Sequence, residues 1–380
     1  MKYLLSVSLL LCGLTQAAEP QWKVQYFYDK LHETLEIRDL AFPTPANGIG
    51  IGAIFDETGA KKPRFTAVLT TDGGETWSLQ PLHDDPRSLF FLNKSAGWMV
   101  GDEAIWFSDD AGQNWRKIGE QKKPERKEGK TPPGGLITRA WFVDEQHGFA
   151  VGYQKSAFQS ADGGKTWTPI AEAEKPSLNP AYTEYSQIAF AGPTGIVMGG
   201  ATPTHRDDPH LPSWMEPERA VRRQPTPNVG LVLETHDTGS NWRVSTVPVY
   251  GSPVALRLMA DAGLAAFSFS EAFEYPTEVY RLDLKTGSSV RTFREENRRV
   301  TDVALFPGPQ AFLAAVEPPG KLNIAPIPGK VRILTSSNLN DWSEMKVDYK
   351  ANARAIVLAG PDADHQWAAT DTGMILHLVK

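Results

Sequence analysis

Four aspartates occupy one fixed position of an eight-residue motif, Ser/Thr-x-Asp-x-Gly-x-x-Trp, that recurs along the chain. A carboxylate can act as a general acid or base, but a constant distance to a glycine and a tryptophan is typical of a hairpin turn. In such a turn the carboxylate accepts hydrogen bonds from the backbone N–H groups that follow it, and the glycine permits a positive φ. We therefore nominate no catalytic residue and predict structural roles for Asp72, Trp77, Asp110, Trp115, Asp162, Trp167, Asp237 and Trp242.

Arginines near the starts of predicted strands form a second set of candidates. Guanidinium groups that converge on one surface can hold the carboxylates of an acidic ligand through bidentate hydrogen bonds. The alternative is that each arginine pairs with a neighbouring acidic residue, such as Asp39 or Asp302, and only holds the fold together. We predict that the partner-binding arginines are Arg38, Arg87, Arg139, Arg257 and Arg354, with Arg298 and Arg299 close by.

The proline-rich insertion 201–228 contains Trp214, Arg222 and Arg223, which we predict to contact the partner. Two histidines and two aspartates of the same insertion could ligate a metal, but the spacing of ligands within a proline-rich loop is uninformative. The sequence contains no phosphate-binding glycine loop, nucleophile elbow or paired-histidine zinc helix. We therefore predict neither a metal nor a cofactor.

Each motif belongs to a longer unit of four predicted strands. The unit begins with an apolar strand that ends in an aromatic residue, and a glycine-led second strand such as Gly-Trp-Met-Val-Gly follows it. Six units are predicted, at residues 35–82, 87–118, 137–171, 185–249, 254–293 and 300–347, and the sixth ends in an eroded copy of the motif. Repeated four-stranded units are typical of the blades of a β-propeller.

A seventh blade is predicted from the two ends of the chain. Residues 353–379 supply only three strands, and the apolar segment Trp22–Tyr28 is available as the fourth. Sharing one blade between the termini closes the ring and removes open sheet edges. The sequence thus predicts an all-β fold, a seven-bladed β-propeller with four-stranded antiparallel blades, closed by the N-terminal strand joining the last blade.

The long insertions share one side of this predicted propeller. In a four-stranded antiparallel blade, the loops after the first and third strands open on one face, and the remaining connections open on the other. The motifs occupy the third loop, whereas the long insertions belong to the other class: 53–64, 120–135, 201–228, 270–276 and 317–330. Binding residues collect on loops that a rigid scaffold positions, although each insertion could also be merely tolerated.

The first 18 residues resemble a secretory signal peptide, with Lys2, an apolar run and a small-residue cleavage site at Ala17-Ala18. We therefore expect export to the periplasm or the extracellular space, and a single domain over residues 19–380. The one cysteine, Cys12, lies within the predicted signal. The net charge of -6 argues against nucleic-acid binding. Because no later apolar run reaches the ~20 residues of a membrane span, we expect a soluble protein. We also predict a monomer.

The segment Gly97-Trp98-Met99-Val100-Gly101 is followed by the motif at 108–115, and the next two units have the same order. In these features the chain resembles the Asp-box (BNR-repeat) propellers. Among these it is most similar to the photosystem II assembly and stability factor-like proteins, most clearly over residues 85–170. The resemblance implies a seven-bladed propeller and a scaffold without catalytic activity that binds a partner protein. It also implies an arginine-rich binding patch.

Sialidases are the enzymatic alternative, because they also carry Asp boxes. Their first arginine normally lies in an Arg-Ile-Pro segment, which this sequence lacks. Other glycosidases need only two carboxylates at a suitable separation, so a carbohydrate-active enzyme or a lectin stays open as the second hypothesis. The preferred hypothesis is an exported binding scaffold whose partner is a protein or peptide, such as an acidic segment of an envelope or membrane protein.

Overall fold

Seven antiparallel sheets arranged in a ring make up the described part of the chain. The computed structural model describes residues 19–121, 134–202, 229–248, 251–269, 275–317 and 327–380. The predicted signal peptide and the predicted contact residues Trp214, Arg222 and Arg223 lie outside these ranges. Within them, no helix is both long and apolar enough to span a membrane.

Blades 1 to 7 follow the order of their first strands along the chain. Blades 1 and 2 consist of Glu33–Ala41, Gly48–Asp56, Arg64–Thr70 and Ser78–Pro81, and of Pro86–Phe91, Gly97–Gly101, Ala104–Ser108 and Arg116–Glu120. Blades 3 and 4 consist of Ile137–Phe142, Gly148–Gly152, Ala157–Ser160 and Thr168–Pro169, and of Thr183–Ala191, Thr194–Ala201, Val229–Thr235 and Arg243–Val247. Blades 5 and 6 consist of Ser252–Leu258, Ala262–Ser268, Thr277–Asp283 and Ser288–Phe293, and of Arg299–Phe306, Gln310–Glu317, Gly329–Ser336 and Ser343–Glu344. Blade 7 consists of Ile356–Ala359, Trp367–Thr370, Met374–Val379 and the N-terminal Gln21–Phe27.

The first strand of each blade is the innermost, because it packs against the first strands of both neighbouring blades around a closed ring. In blade 7 the N-terminal strand runs antiparallel to Met374–Val379, with Trp22 opposite Leu378. The indole of Trp22 is fully buried and makes an edge contact with Phe312 of blade 6. The predicted seven-bladed fold and its closure by the N-terminal strand are therefore confirmed.

Four small elements were not predicted. Lys346–Val347 pairs in parallel with Gln21–Phe27, and Asn352–Ala353 pairs with the third strand of blade 6, so that blades 6 and 7 are joined by extra bonds. Between blades 3 and 4 lie a short α-helix, Ala171–Glu174, and a 3-10 turn, Pro180–Tyr182.

Packing between blades explains the aromatic and the glycine of the repeat. A Cβ added to the first glycine of the second strand would lie 2.3 or 2.4 Å from the aromatic ring that ends the first strand. This holds for the pairs Gly48 and Phe42, Gly97 and Phe91, Gly148 and Phe142, and Gly195 and Phe190. The ring occupies the space of the missing side chain and stacks on the preceding blade, as Phe142 does on Trp98 at 3.8 Å between ring centroids. The glycine is thus required by close approach.

Each complete Asp box is closed by the same hydrogen bonds. In blade 1, the backbone N–H of Thr76 donates to Asp72 Oδ1 at 2.9 Å, its hydroxyl donates to Oδ2 at 2.6 Å, and the N–H of Gly74 donates to Thr70 Oγ1 at 2.8 Å. The hydroxyl of Thr76, its backbone N–H and the hydroxyl of Thr70 together lower the pKa of Asp72 to about 2. Equivalent bonds close the boxes around Asp110, Asp162 and Asp237.

The tryptophan of each Asp box contacts the aromatic rings between blades with its edge. Trp77, Trp115 and Trp167 approach Phe42, Phe91 and Phe142 in T-shaped arrangements at 6.0 to 6.3 Å between ring centroids, and Trp242 approaches Phe149 at 5.6 Å. We call the face that carries these boxes the Asp-box face. Because the strands alternate in direction, the predicted long insertions begin and end on the opposite side, which we call the long-loop face.

Candidate functional site

A one-residue bulge near the start of the innermost strand builds the candidate site. The pairing register between the first and second strands shifts in each of blades 1 to 6. The bulged residues are Arg38, Arg87, Thr138, Ser186, Val254 and Thr301. A bulge leaves one residue outside the ladder and re-aims side chains. Four of the bulged residues, Arg38, Arg87, Thr138 and Ser186, line one pocket at the long-loop end of the central channel.

Three of the predicted arginines line one pocket at this end of the channel. The pocket, which we call the mouth pocket, has a volume of about 380 Å³. It is lined by Arg38, Asp85, Arg87, Thr138, Arg139, Tyr153, Glu184, Tyr185 and Ser186. These residues come from blades 1 to 4 and from the connections between them. The mouth pocket thus brings together the predicted contributions of blades 1, 2 and 3.

Two of the three arginines already have acidic partners. Arg38 donates to Glu36 Oε1 at 2.9 Å, forms an ion pair with Asp85, and donates to the carbonyl of Pro86 at 3.1 Å. Arg87 forms an ion pair with Asp102, and its guanidinium lies 5.8 Å from the centroid of the Tyr153 ring. Because Asp85 precedes the first strand of blade 2, the Arg38 pair also ties two blades together. The alternative that the arginines pair with acidic neighbours and hold the fold together therefore accounts for Arg38 and Arg87.

Arg139 differs from its neighbours. It is half-buried, and within the described ranges it forms no hydrogen bond or ion pair. Arg139 interacts electrostatically with Asp39. Asp39 is a buried carboxylate that accepts the N–H of Leu40 at 2.9 Å and that of Leu89 in blade 2 at 2.8 Å. Burial raises the pKa of Asp39, and the Arg139 guanidinium and these two N–H groups act against the increase. Among the three arginines of the mouth pocket, Arg139 is therefore the one whose guanidinium has no hydrogen-bonded acceptor among the described residues.

Arg257 lies deeper in the channel than the bulged residues. It follows the bulge of blade 5 by three residues and donates to Asp302 at 3.0 Å. Together with Arg139 it lines a second space of about 550 Å³, the channel cavity, whose walls include Phe90, Trp141 and Leu358. The channel cavity extends towards the loops that follow the first strands, on the Asp-box face.

The remaining predicted arginines lie apart from both cavities. Arg354 donates to Asp371 Oδ2 at 2.8 Å, and its carbonyl accepts a hydrogen bond from Arg299 at 2.6 Å. Arg298 forms ion pairs with Glu317 and Glu344 at the edge of blade 6. The predicted arginines therefore differ in position: Arg38 and Arg87 line the mouth pocket, Arg139 lines both the mouth pocket and the channel cavity, Arg257 lines the channel cavity, and Arg354 lies outside both.

The sequence reasoning missed six of the nine residues that line the mouth pocket, and two of the six, Tyr153 and Glu184, matter most for its chemistry. Tyr153 follows the second strand of blade 3, and its side chain is 44% exposed at the rim. Glu184 lies near the start of the innermost strand of blade 4, and burial raises the pKa of its carboxyl. Glu184 could have been found in the sequence if acidic residues near the starts of the innermost strands had been considered together with the arginines. Among the described residues, no group of three His, Cys, Asp or Glu side chains could hold a metal ion.

Comparison with known proteins supports the resemblance found in the sequence. The BNR/Asp-box repeat model matches residues 68–79, which contain the first Asp box. The photosystem II assembly protein Ycf48 of Thermosynechococcus vestitus is 23% identical over 261 residues, which cover 64% of this chain and 70% of the relative. The predicted resemblance is therefore confirmed at the level of distant homology.

Solved structures agree with the fold. A structure described as YCF48 bound to D1 peptide matches with a TM-score of 0.56 at 15% identity and covers 93% of this chain and 99% of its own. YCF48 from Cyanidioschyzon merolae matches with a TM-score of 0.51 at 14% identity, over 94% and 98% of the two chains. The WD40 propeller of Doa1 matches with a TM-score of 0.54 at 10% identity, over 94% and 97%. The chain is therefore a seven-bladed propeller that carries the BNR/Asp-box repeat and is distantly homologous to a photosystem II assembly protein.

Proposed function

We propose that this chain is an exported propeller without catalytic activity that binds a peptide segment of a protein partner on its long-loop face. In this proposal Arg139 is the principal electrostatic anchor of the mouth pocket. Arg38 and Arg87 shape the pocket and add positive charge that their acidic partners partly offset.

The unused guanidinium of Arg139 is the observation that carries the proposal. Because this guanidinium has no hydrogen-bonded acceptor among the described residues and lines an open pocket, its N–H donors are available to a ligand. A ligand carboxylate would satisfy two donors at once and would gain the strength of a charge-assisted pair. The pocket volume of about 380 Å³ suits a few side chains of an extended peptide.

The relatives favour a peptide over a small molecule as the ligand. The sequence relative is named an assembly protein, and one structural relative is described as bound to D1 peptide. At 23% and 15% identity these names do not transfer by themselves. They agree, however, with a site that in this chain is an open pocket lined by charged and polar side chains.

Export is part of the same proposal and rests on the composition of residues 1–18. Expression in a Gram-negative host, followed by osmotic shock and N-terminal mass determination, tests it. The expected product begins near Glu19 and appears in the shock fluid. A product that retains Met1 and stays in the cytoplasm would contradict export.

Binding is tested with Arg139→Gln as the variant and Arg243→Gln as the matched control. Arg243 is exposed on the outermost strand of blade 4, far from the channel. Each protein is immobilised and incubated with a detergent extract of the native envelope, and the retained proteins are quantified by mass spectrometry. We expect a partner that wild type and Arg243→Gln retain equally and that Arg139→Gln loses. Equal retention by all three folded proteins would refute the site.

A further inference from the structure

The mouth pocket contains an unpaired negative charge as well as an unpaired positive one. Glu184 is half-buried, and it forms no hydrogen bond or ion pair through its side chain with any described residue. Burial raises the pKa of its carboxyl, and no neighbouring cation lowers it. Removing a carboxylate from water without a partner is unfavourable. The carboxylate of Glu184 is therefore available to bind a cationic group of a ligand.

The other charges of the pocket are already matched within the protein. Arg38 is shared by Glu36 and Asp85, and Arg87 is held by Asp102. Arg139 and Glu184 line the same pocket from adjacent blades but do not pair with each other. Two opposite charges that stay separate within one small pocket are complementary to a ligand with two charges of its own.

One wall of the mouth pocket, at Tyr153, is held by a strained turn. Gln154 and Lys155 have φ values of 56° and 59°, a conformation that costs side chains other than glycine or asparagine. Lys155 is buried and donates to the carbonyls of Glu174 at 2.9 Å and Pro176 at 2.7 Å, which anchors the turn to the connection between blades 3 and 4. The turn presents the exposed ring of Tyr153 at the pocket rim. Strain of this kind concentrates at binding sites, and it keeps the wall preorganised.

We propose that the mouth pocket recognises a peptide segment that carries an acidic and a basic side chain together, with Arg139 holding the acidic group and Glu184 the basic one. This inference rests on the proposed function and refines it, because purely acidic segments become weaker ligands than segments of mixed charge. Tyr153 packs against the aliphatic part of the basic side chain and closes the pocket on one side.

The test uses the full mature chain and a phage-displayed library of random dodecamer peptides. The library is selected in parallel on wild type, Arg139→Gln, Glu184→Gln and the control Glu234→Gln. Glu234 lies in blade 4, as Glu184 does, and is also half-buried. It is opposite Arg243 in the strand register, near the Asp-box face. We expect wild type and Glu234→Gln to enrich peptides with an acidic and a basic residue within a few positions. Arg139→Gln loses the acidic enrichment, and Glu184→Gln loses only the basic enrichment.

A double-mutant cycle with the best peptide gives the decisive number. Replacing the basic residue of the peptide by glutamine should raise the Kd for wild type about 5- to 10-fold. The same replacement should leave the Kd for Glu184→Gln unchanged. The inference is overturned if Glu184→Gln selects the same peptides as wild type while Arg139→Gln loses binding, and in that case the proposed function survives. If no protein enriches any peptide, both the inference and the peptide-binding function fail.

Discussion

The substitution Gly148→Ala tests the packing that holds the blades, and therefore the pocket, in place. The added Cβ would lie 2.4 Å from Phe142, so the ring must move by about 1 Å to reach ordinary contact distance. That ring is buried, stacks on Trp98 at 3.8 Å with an interplanar angle of 11°, and receives the edge of Trp167 at 6.0 Å. Overpacking costs about 1–3 kcal/mol, and a disturbed aromatic pair costs about 0.5–1.5 kcal/mol more.

The expected loss of unfolding free energy is therefore about 2–4 kcal/mol, measured by urea unfolding with tryptophan fluorescence. The matched background is Phe142→Leu, which removes the ring that the new methyl group meets. In that background the additional cost of Gly148→Ala should fall below about 1 kcal/mol. A cost under about 0.5 kcal/mol in the wild-type chain, or the same cost in both backgrounds, would refute the steric explanation.

Three further predictions concern the Asp boxes, acid stability and ring closure. Asp110→Ala should lower the unfolding free energy by about 1–2 kcal/mol, because the N–H and the side-chain amide of Asn114 lose their acceptor. The control Asp109→Ala removes none of these bonds and should leave the unfolding free energy nearly unchanged. Urea titration measures both. The pKa values of Asp72 and Asp162, both about 2, lie below the ordinary carboxyl value, so the folded state binds these protons less tightly than the unfolded state. Their stabilisation is present above about pH 4 and is lost as the pH falls towards 2, so melting temperatures of the double Asn variant should decline less steeply than those of wild type over that range. Trp22→Ala removes a fully buried indole from the closing strand and should lower the unfolding free energy by about 3–5 kcal/mol. A decrease of less than about 1 kcal/mol in urea unfolding would contradict the role of this strand in closing the ring.

The sequence predicted the blades because their signals are local and repeated. The glycine and the aromatic of each repeat meet within one hairpin, and the Asp box closes within eight residues, so each unit can be recognised without knowledge of its neighbours. The seventh blade followed from counting strands. The closing strand was predicted at Trp22–Tyr28 and is observed at Gln21–Phe27.

The arrangement of charges at the channel could be predicted only in part. A bulge inserts one residue into the innermost strand, and the sequence of these strands does not mark which residue is inserted. For this reason Arg38, Arg139 and Arg257 looked equivalent, although they occupy three different positions relative to the bulges of their strands. The pairing of Arg38 with Asp85 depends on how two blades meet, which the sequence does not contain.

The most direct test of the central claim is photo-crosslinking from the two opposite faces. A benzoylphenylalanine replaces Tyr153 at the mouth pocket or Glu75, which is exposed in the first Asp box. Each protein is irradiated in an envelope extract of the native host, and the adducts are identified by mass spectrometry. The account predicts one dominant protein adduct at position 153 that Arg139→Gln abolishes, and no specific adduct at position 75. Specific adducts from position 75 alone would contradict the assignment of the long-loop face as the binding surface.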